Sequence, residues 1–359
     1  MPGTFSTRFL PSMWIHHRTK FITITGIAFI VLFKGVQFKV DKNDFRLEHF
    51  KSHIESFYAK TEPGETIVFP EDIGLNVAFE GLESESIADA IRDIYSTNSE
   101  YIDSSMKNLG GISLTSALFL SLTDRFARDF YDLFASLSRK YSVYTIACNN
   151  MAEFEERGGA YYPVSAQVFN TAYVFNTRGE LAFRQRKVFL TQMEIELGIS
   201  PGKIEDVSTF KLEGLNVGIA TSLDAFMPEY VSRLLNADVV IQPDANPGKW
   251  NGFIENGRWQ PEEWMESSYY IAQRVPRVRY VLNPMMVGRM FEISFEGQSN
   301  ITKKSERGDK LMSFIGNIPT KGFHSIIGIA GMDPEEFIGR EEAQLKELEF
   351  AEGMVEVEI

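Results

Sequence analysis

Short strand-like runs, most of them apolar, alternate along this chain with segments of helical spacing, and three of the runs stop on a polar or charged residue. That alternation constrains the fold more than any other feature. A short run that is apolar throughout suits a strand buried on both faces, and the helical segments between such runs must cover the sheet they build. Gly35 to Val40, Thr66 to Phe69, the run from Ser142, Ala237 to Gln242 and Arg277 to Leu282 read as strands. Gln167 to Asn176 and Glu180 to Arg186 flank Thr177-Arg178-Gly179, a hairpin signal, and Gly214 turns a second hairpin between Lys211 and Ala220. Asp44 to Lys60 has helical spacing, with Phe45, Phe50, Ile54 and Phe57 on one face. Residues 123–140, Pro228 to Leu235 and Glu262 to Arg274 also read as helices, and residues 72–122 are less regular, with helical pieces around Ser86 to Tyr95. Phe291 to Phe295 and His324 to Ala330 supply further strands, and Glu335 to Glu352 reads as a charged helix. The pattern predicts an α/β protein, a mixed sheet layered with helices.

Charge and cysteine usage exclude several functions. The net charge is −13 and the basic residues are scattered. A duplex-binding surface needs clustered Lys and Arg, so no nucleic-acid partner is expected. The single cysteine, Cys148, precludes an internal disulfide and a Cys-based zinc site, and its β-type run reads as a small buried hydrophobe. His49 and His53 have an i, i+4 spacing that can hold a metal, but no HExxH pattern accompanies them, so they read as a surface pair and no metal is expected. Gly110-Gly111 and Gly158-Gly159 lack the lysine and helix start of a phosphate loop, and no cofactor is expected.

The N-terminus carries an uncharged run, Phe21 to Phe33, with Arg18 and Lys20 before it and Lys34 after it. It resembles the apolar region of a signal or anchor, yet a straight spanning helix needs about 20 residues. Two readings stand: membrane attachment through residues 21–33, or a β-rich extension leading into the first core strand. The chain is accordingly placed in the cytoplasm, or at a membrane through this segment alone. Residues 1–33 are set apart as an extension, 34–331 as the main domain, and 332–359 as a charged C-terminal helix or tail.

The chemistry gathers where the three runs stop. Ile67-Val68-Phe69-Pro70-Glu71 ends a buried strand on a carboxylate, and ligands in α/β sheets bind at such edges. Partial desolvation would raise that carboxylate toward general-base values. Arg184-Gln185-Arg186-Lys187 ends another strand on an ammonium able to stabilise an oxyanion, with Glu194 seven residues on. Val217-Gly218-Ile219-Ala220-Thr221-Ser222-Leu223-Asp224 runs a small-residue strand into a sharp turn, where a side chain sits beside free backbone N–H groups. Read singly, these are a loop acid, a solvated lysine and a helix cap.

Taken in order, they resemble the Glu–Lys–Cys constellation of the carbon–nitrogen hydrolase (nitrilase) superfamily. Val36-Gln37 upstream, Asn170-Thr171-Ala172 with Gly179, Pro228-Glu229, the strand Ala237 to Pro243, and Phe295-Glu296-Gly297-Gln298-Ser299 add to the likeness, which spans about residues 34–331. The resemblance implies a four-layer α-β-β-α sandwich that pairs as a homodimer. It implies Glu71 as general base, Lys187 as oxyanion stabiliser, Glu194 beside the lysine, the Leu223 amide in the oxyanion hole, and Asp224 organising the elbow. Asn246 and Trp250 are the expected substrate contacts, the first just after a core strand, the second in an aromatic-rich stretch with Trp259, Trp264, Tyr269 and Tyr270.

The departure is Ser222, where the family keeps its cysteine. A thiol ionises near about 8.5 and a hydroxyl near water's value of about 15.7, a gap of roughly 10 kcal/mol. No histidine lies in a matching motif to serve as the base that serine hydrolases use. Ser222 therefore fits a slow hydrolase, a silent relative that keeps the pocket, or a cysteine replaced by design. The expected ligand is a small non-peptide amide, nitrile or carboxylate. The expected function is hydrolysis of a C–N bond, or, alternatively, a catalytically inactive pocket or dimer protein.

Overall fold

The structure, a computed structural model, describes residues 30–109, 111–250, 252–254, 257, 260–304, 312–315, 320–321 and 349–359. Its centre is two sheets packed face to face. The first contains strands β1 (Leu32–Val40), β2 (Thr66–Val68), β3 (Tyr144–Arg157), β4 (Ala160–Phe175) and β5 (Leu181–Arg186) in that spatial order. The second contains β6 (Phe210–Leu212), β7 (Leu215–Ile219), β8 (Val239–Ile241) and β10 (Tyr280–Asn283), then β13 (Asn300–Lys304) and β14 (Met312–Ile315). The short β9 (Asp244–Ala245) pairs with β11 (Met285–Met290), which joins the first sheet beside β1 and carries β12 (Ile293–Phe295) at the edge. The two-residue strands β15 (Thr320–Lys321) and β16 (Glu349–Phe350) pair with each other.

Strand periodicity sorts the side chains into layers. Val68, Ile146, Cys148, Ala172 and Val174 from the first sheet meet Val217, Ile219, Val239, Ile241 and Leu282 from the second. The alternate residues, among them Phe38, Ile67, Ala147 and Phe175, face outward onto helices α1 (Leu47–Tyr58), α2 (Ile87–Leu109), α3 (Leu114–Ser121), α4 (Thr123–Phe126) and α5 (Asp132–Tyr141). On the far side, Val240 and Val281 pack with residues of α7 (Pro228–Val231) and α8 (Gln260–Arg274). Each buried Val, Leu, Ile or Phe among them contributes about 1.5–3 kcal/mol. The result is the expected α-β-β-α sandwich. Gly218 is small for a packing reason: a Cβ there would meet Leu234 Cδ2 at 3.0 Å, under the α7 layer.

Several sequence readings are corrected. Phe33, the end of the apolar N-terminal run, is fully buried and pairs with Thr66 and Val357, so it belongs to a core strand and not to an anchor. No helix among the described residues is long and apolar enough to cross a membrane, and residues 30–33, the described end of the 21–33 run, lead into strand β1, which corrects membrane attachment as far as those residues; residues 21–29 lie outside the described set. Gly353–Glu358 forms a strand, β17, antiparallel to β1, where a charged helix or tail was expected. The period is two: Val355 and Val357 are buried while Glu356 and Glu358 are exposed. The stretch read as helical pieces is the 23-residue α2, non-helical only at Asn98. The helix over 123–140 is present as α4 and α5 joined by a π-turn over Ala127–Tyr131. The expected strand His324 to Ala330 and the helix from Glu335 fall outside the described residues as far as residue 348.

Candidate active site

The three strand ends that the sequence singles out open into one cavity of about 710 Å³, lined by Glu71, Lys187, Glu194 and Ser222 together. Glu71 follows β2 through Pro70, which ends the strand because it has no N–H to donate, and the carboxylate is left 3% exposed. Lys187 follows β5, its amide held by the Asn170 carbonyl at 2.8 Å and its side chain 2% exposed. The ammonium donates to Glu71 Oε1 and to Glu194 Oε2, both at 2.8 Å. Asn170 Nδ2 donates to the same two carboxylates, at 2.8 Å to Glu71 Oε1 and 3.1 Å to Glu194 Oε1. Glu194 is fixed from its own helix, α6 (Gln192–Glu196), by a capping box: Thr191 N and Oγ1 donate to Oε2 at 2.9 and 3.0 Å.

This is a buried cation between two buried anions, with an amide group bracing both acids. Burial pushes the Glu71 carboxyl above the usual carboxylate range; Lys187 pulls it down and the charge of Glu194 adds to the rise. Burial opposes the charge on Lys187, but the two carboxylates more than offset it and hold the ammonium protonated. Asp72, beside Glu71, is pushed well up by burial and by the neighbouring acids, and Asn150 Nδ2 donates to it at 2.7 Å. A carboxylate with a raised pKa next to a fixed cation suits proton abstraction.

Ser222 opens a 3-10 turn, Ser222–Phe226, at the end of β7. Its φ is +48°, in the left-handed region that costs an L-residue about 1–2 kcal/mol. Such strain in a non-glycine residue at a cavity wall marks functional sites. Its amide donates to the Pro243 carbonyl at 3.1 Å, and Leu223 follows as the second residue of the turn, where an amide has no acceptor inside the turn. Asp224, fully buried, accepts from Val188 N at 3.1 Å and Phe189 N at 2.8 Å. It ties the elbow to the two residues after Lys187, which is how Ser222 and the ammonium come to share one wall. Burial raises the Asp224 carboxyl well above its usual range, against the two amides that stabilise its charge.

Two expected substrate contacts lie elsewhere. Asn246 spends its side chain on the loop around it, donating to the Gly248 and Glu296 carbonyls and accepting from Gln260. Trp250 is fully buried, with its amide on Glu296. Neither lines the cavity, whereas their neighbours Ala245 and Pro247 do. Trp259 is outside the described residues. Cys148 sits between the sheets, its thiol pushed well up by burial, and does not line the cavity. Sequence reasoning quoted Asn170 only as part of a hairpin word and gave no role to Asp72 or Asn150; their polarity inside apolar strand ends was the available signal. Away from the cavity, Asp44, His49 and His53 place potential metal-ligand atoms within 4.8 Å of one another.

No protein-family model matches the sequence, and no curated protein does. Solved structures do. The chain is similar to the carbon–nitrogen hydrolase from Helicobacter pylori G27, with TM-score 0.53 and 16% identity over 80% of this chain and 85% of that one. It is similar to two mutants of the amidase from Nesterenkonia sp. AN1, each with TM-score 0.50 over 92% of this chain and 90% of theirs. One, 14% identical, is in complex with butyramide; the other, 13% identical, shows covalent addition of the acetamide moiety of fluoroacetamide at the active site cysteine. The fold is therefore the layered α/β sandwich of this carbon–nitrogen hydrolase and this amidase.

Proposed function

We propose that this protein hydrolyses the C–N bond of a non-peptide amide at Glu71, Lys187 and Ser222. The observation that carries the reading is the Lys187 ammonium held at 2.8 Å from both Glu71 and Glu194 on the wall of the cavity that Ser222 also lines. In the proposed reaction, Ser222 Oγ attacks the amide carbon while Glu71 takes the hydroxyl proton. Lys187 and the Leu223 amide hold the oxyanion. The C–N bond then breaks, and Glu71 returns the proton to the departing ammonia or amine. Water attacks the acyl-serine ester, Glu71 takes its proton, and the acid leaves as Ser222 regains its hydrogen. Glu194 positions the lysine and Asp224 positions the elbow. A nitrile would enter through the same attack. Pairing as a homodimer beside the site belongs to the same proposal, supported by exposed Met193 and Ile195 on α6, and sedimentation of the free protein tests it.

A second reading, a silent pocket protein that binds an amide or carboxylate, is favoured by one observation. Among the described residues lining the cavity there is no histidine to take the Ser222 proton. Ser222→Cys separates the two. A hydrolase limited by its nucleophile gains turnover by orders of magnitude, and Glu71→Gln in the same variant abolishes the gain. A binder gains nothing and still binds the acid product.

A further inference from the structure

We propose that the acyl group of the substrate is long and aliphatic, seated in the apolar part of the cavity with its carbonyl at Ser222. The inference rests on the hydrolytic reading of Ser222, Glu71 and Lys187, and it gives that site a substrate class that the small-amide expectation lacks. Size is the first argument. A cavity of about 710 Å³ far exceeds what an amide of a few heavy atoms fills, and lies in the range that encloses ligands of drug size.

The second argument is how polarity is distributed. The acid–lysine cluster, Ser222, Asp72 and Asn150 supply the polar head end. Much of the remaining wall is apolar, with Leu75, Phe79 and Leu118 among its members. The polar side chains elsewhere on the wall already have partners. Thr115 Oγ1 bonds Ser113 Oγ, Gln192 Nε2 donates to Glu196, and Glu292 accepts the Ile87 amide. A sugar, nucleotide or polar side chain would lose its hydrogen bonds to water there without replacement, which burial penalises heavily. An alkyl chain loses nothing and gains from leaving water.

The cover points the same way. Ile87, Ile91 and Ile94 recur at spacings of four and three, so they share one face of α2, and all three line the cavity. The chemistry selects the acyl side over the amine side. The acyl group stays covalently on Ser222 after the C–N bond breaks, whereas the amine must leave and water must enter by the polar end. The apolar arm therefore suits the half that remains.

The test is a homologous series of primary amides, acetamide to decanamide, with the S222C variant. The expected result is a kcat/KM that climbs up to about fourfold per added methylene until the arm is full. Ile91→Trp and Leu118→Trp, which fill the arm, should lower decanamide turnover far more than butyramide turnover. Turnover that is flat or falling beyond butyramide overturns the inference while leaving the hydrolase intact. If no amide of any length reacts, titration calorimetry of the unaltered protein with butyric and decanoic acids decides. Decanoic acid binding many-fold tighter, with a negative heat-capacity change, supports the apolar seat and sinks the hydrolase reading. Equal or absent binding overturns both.

Discussion

Replacing Lys187 with methionine keeps much of the side-chain length and removes the charge between Glu71 and Glu194. The ammonium makes two charged hydrogen bonds of 2.8 Å at a site where its side chain is 2% exposed. Bonds to charged groups contribute about 1.5–3 kcal/mol each, so two give about 3–6 kcal/mol. That agrees with the roughly 3–5 kcal/mol lost when one partner of a buried ion pair is removed. The loss should depend on pH in a definite sense. Without the lysine, two buried carboxylates face each other and Glu71 rises further above its already raised pKa. A folded-state pKa above the unfolded value of about 4.3 means the folded chain binds the proton more tightly. Stability of the variant then falls as pH rises from about 4.3 through the raised value, and the deficit against the parent protein is smallest in acid. Urea denaturation of both proteins at pH 5 and pH 8, followed by tryptophan fluorescence and circular dichroism, measures it. A loss below about 1 kcal/mol, or one equal at both pH values, would refute the picture of a desolvated, doubly paired ammonium.

Two further outcomes follow from local geometry. Ser222→Gly relieves about 1–2 kcal/mol of left-handed strain at φ +48° and gives back about 0.4–1 kcal/mol to unfolded-chain freedom, so urea denaturation should show a gain of roughly 0.5 kcal/mol together with loss of all turnover; a destabilised variant would contradict the strain argument. Outside the cavity, burial works against the charge on His53, but hydrogen bonds to Asp44 and Glu352 outweigh it and lift its pKa from 6.5 to about 9. The folded state therefore binds that proton more tightly, so the contribution is full below about pH 6.5 and is lost as pH rises through about 9. His53→Asn should flatten the stability profile between those values by on the order of 1 kcal/mol, allowing for solvent screening at a partly open site, and an unchanged slope would count against it.

The candidate site was legible because its parts stand at strand ends. Glu71 and Ser222 each follow an apolar run closely, Lys187 follows the hairpin arm that ends in Arg184-Gln185-Arg186, and strand ends are where a sheet offers side chains to a ligand. Glu194 was legible by its distance from Lys187, but its capping box with Thr191 was not used, and that box is what aims it. Asn170 bridges two acids 99 and 24 residues away, a contact no local pattern encodes. The cover over the cavity was illegible for a different reason. In α2 the run Ser96-Thr97-Asn98-Ser99 has weak helix propensity and breaks the apolar stripe, and only packing keeps the helix going. β17 was hidden by charge: reading residues 332–359 as a charged helix or tail overlooked Val355 and Val357, which alternate with Glu356 and Glu358. Asn246 was placed at the ligand by its position just after a core strand and Trp250 by its aromatic-rich stretch, and both turn out to hold the loop that carries Pro247 to the wall.

The central claim is that position 222 is where the substrate becomes covalently attached. The direct measurement is acid-quenched mass spectrometry with peptide mapping of the S222C variant during turnover of a primary amide. The account predicts an acyl adduct on the peptide carrying residue 222, missing when Glu71→Gln is added. An adduct on Cys148 instead, or none while the amide is consumed, would contradict it.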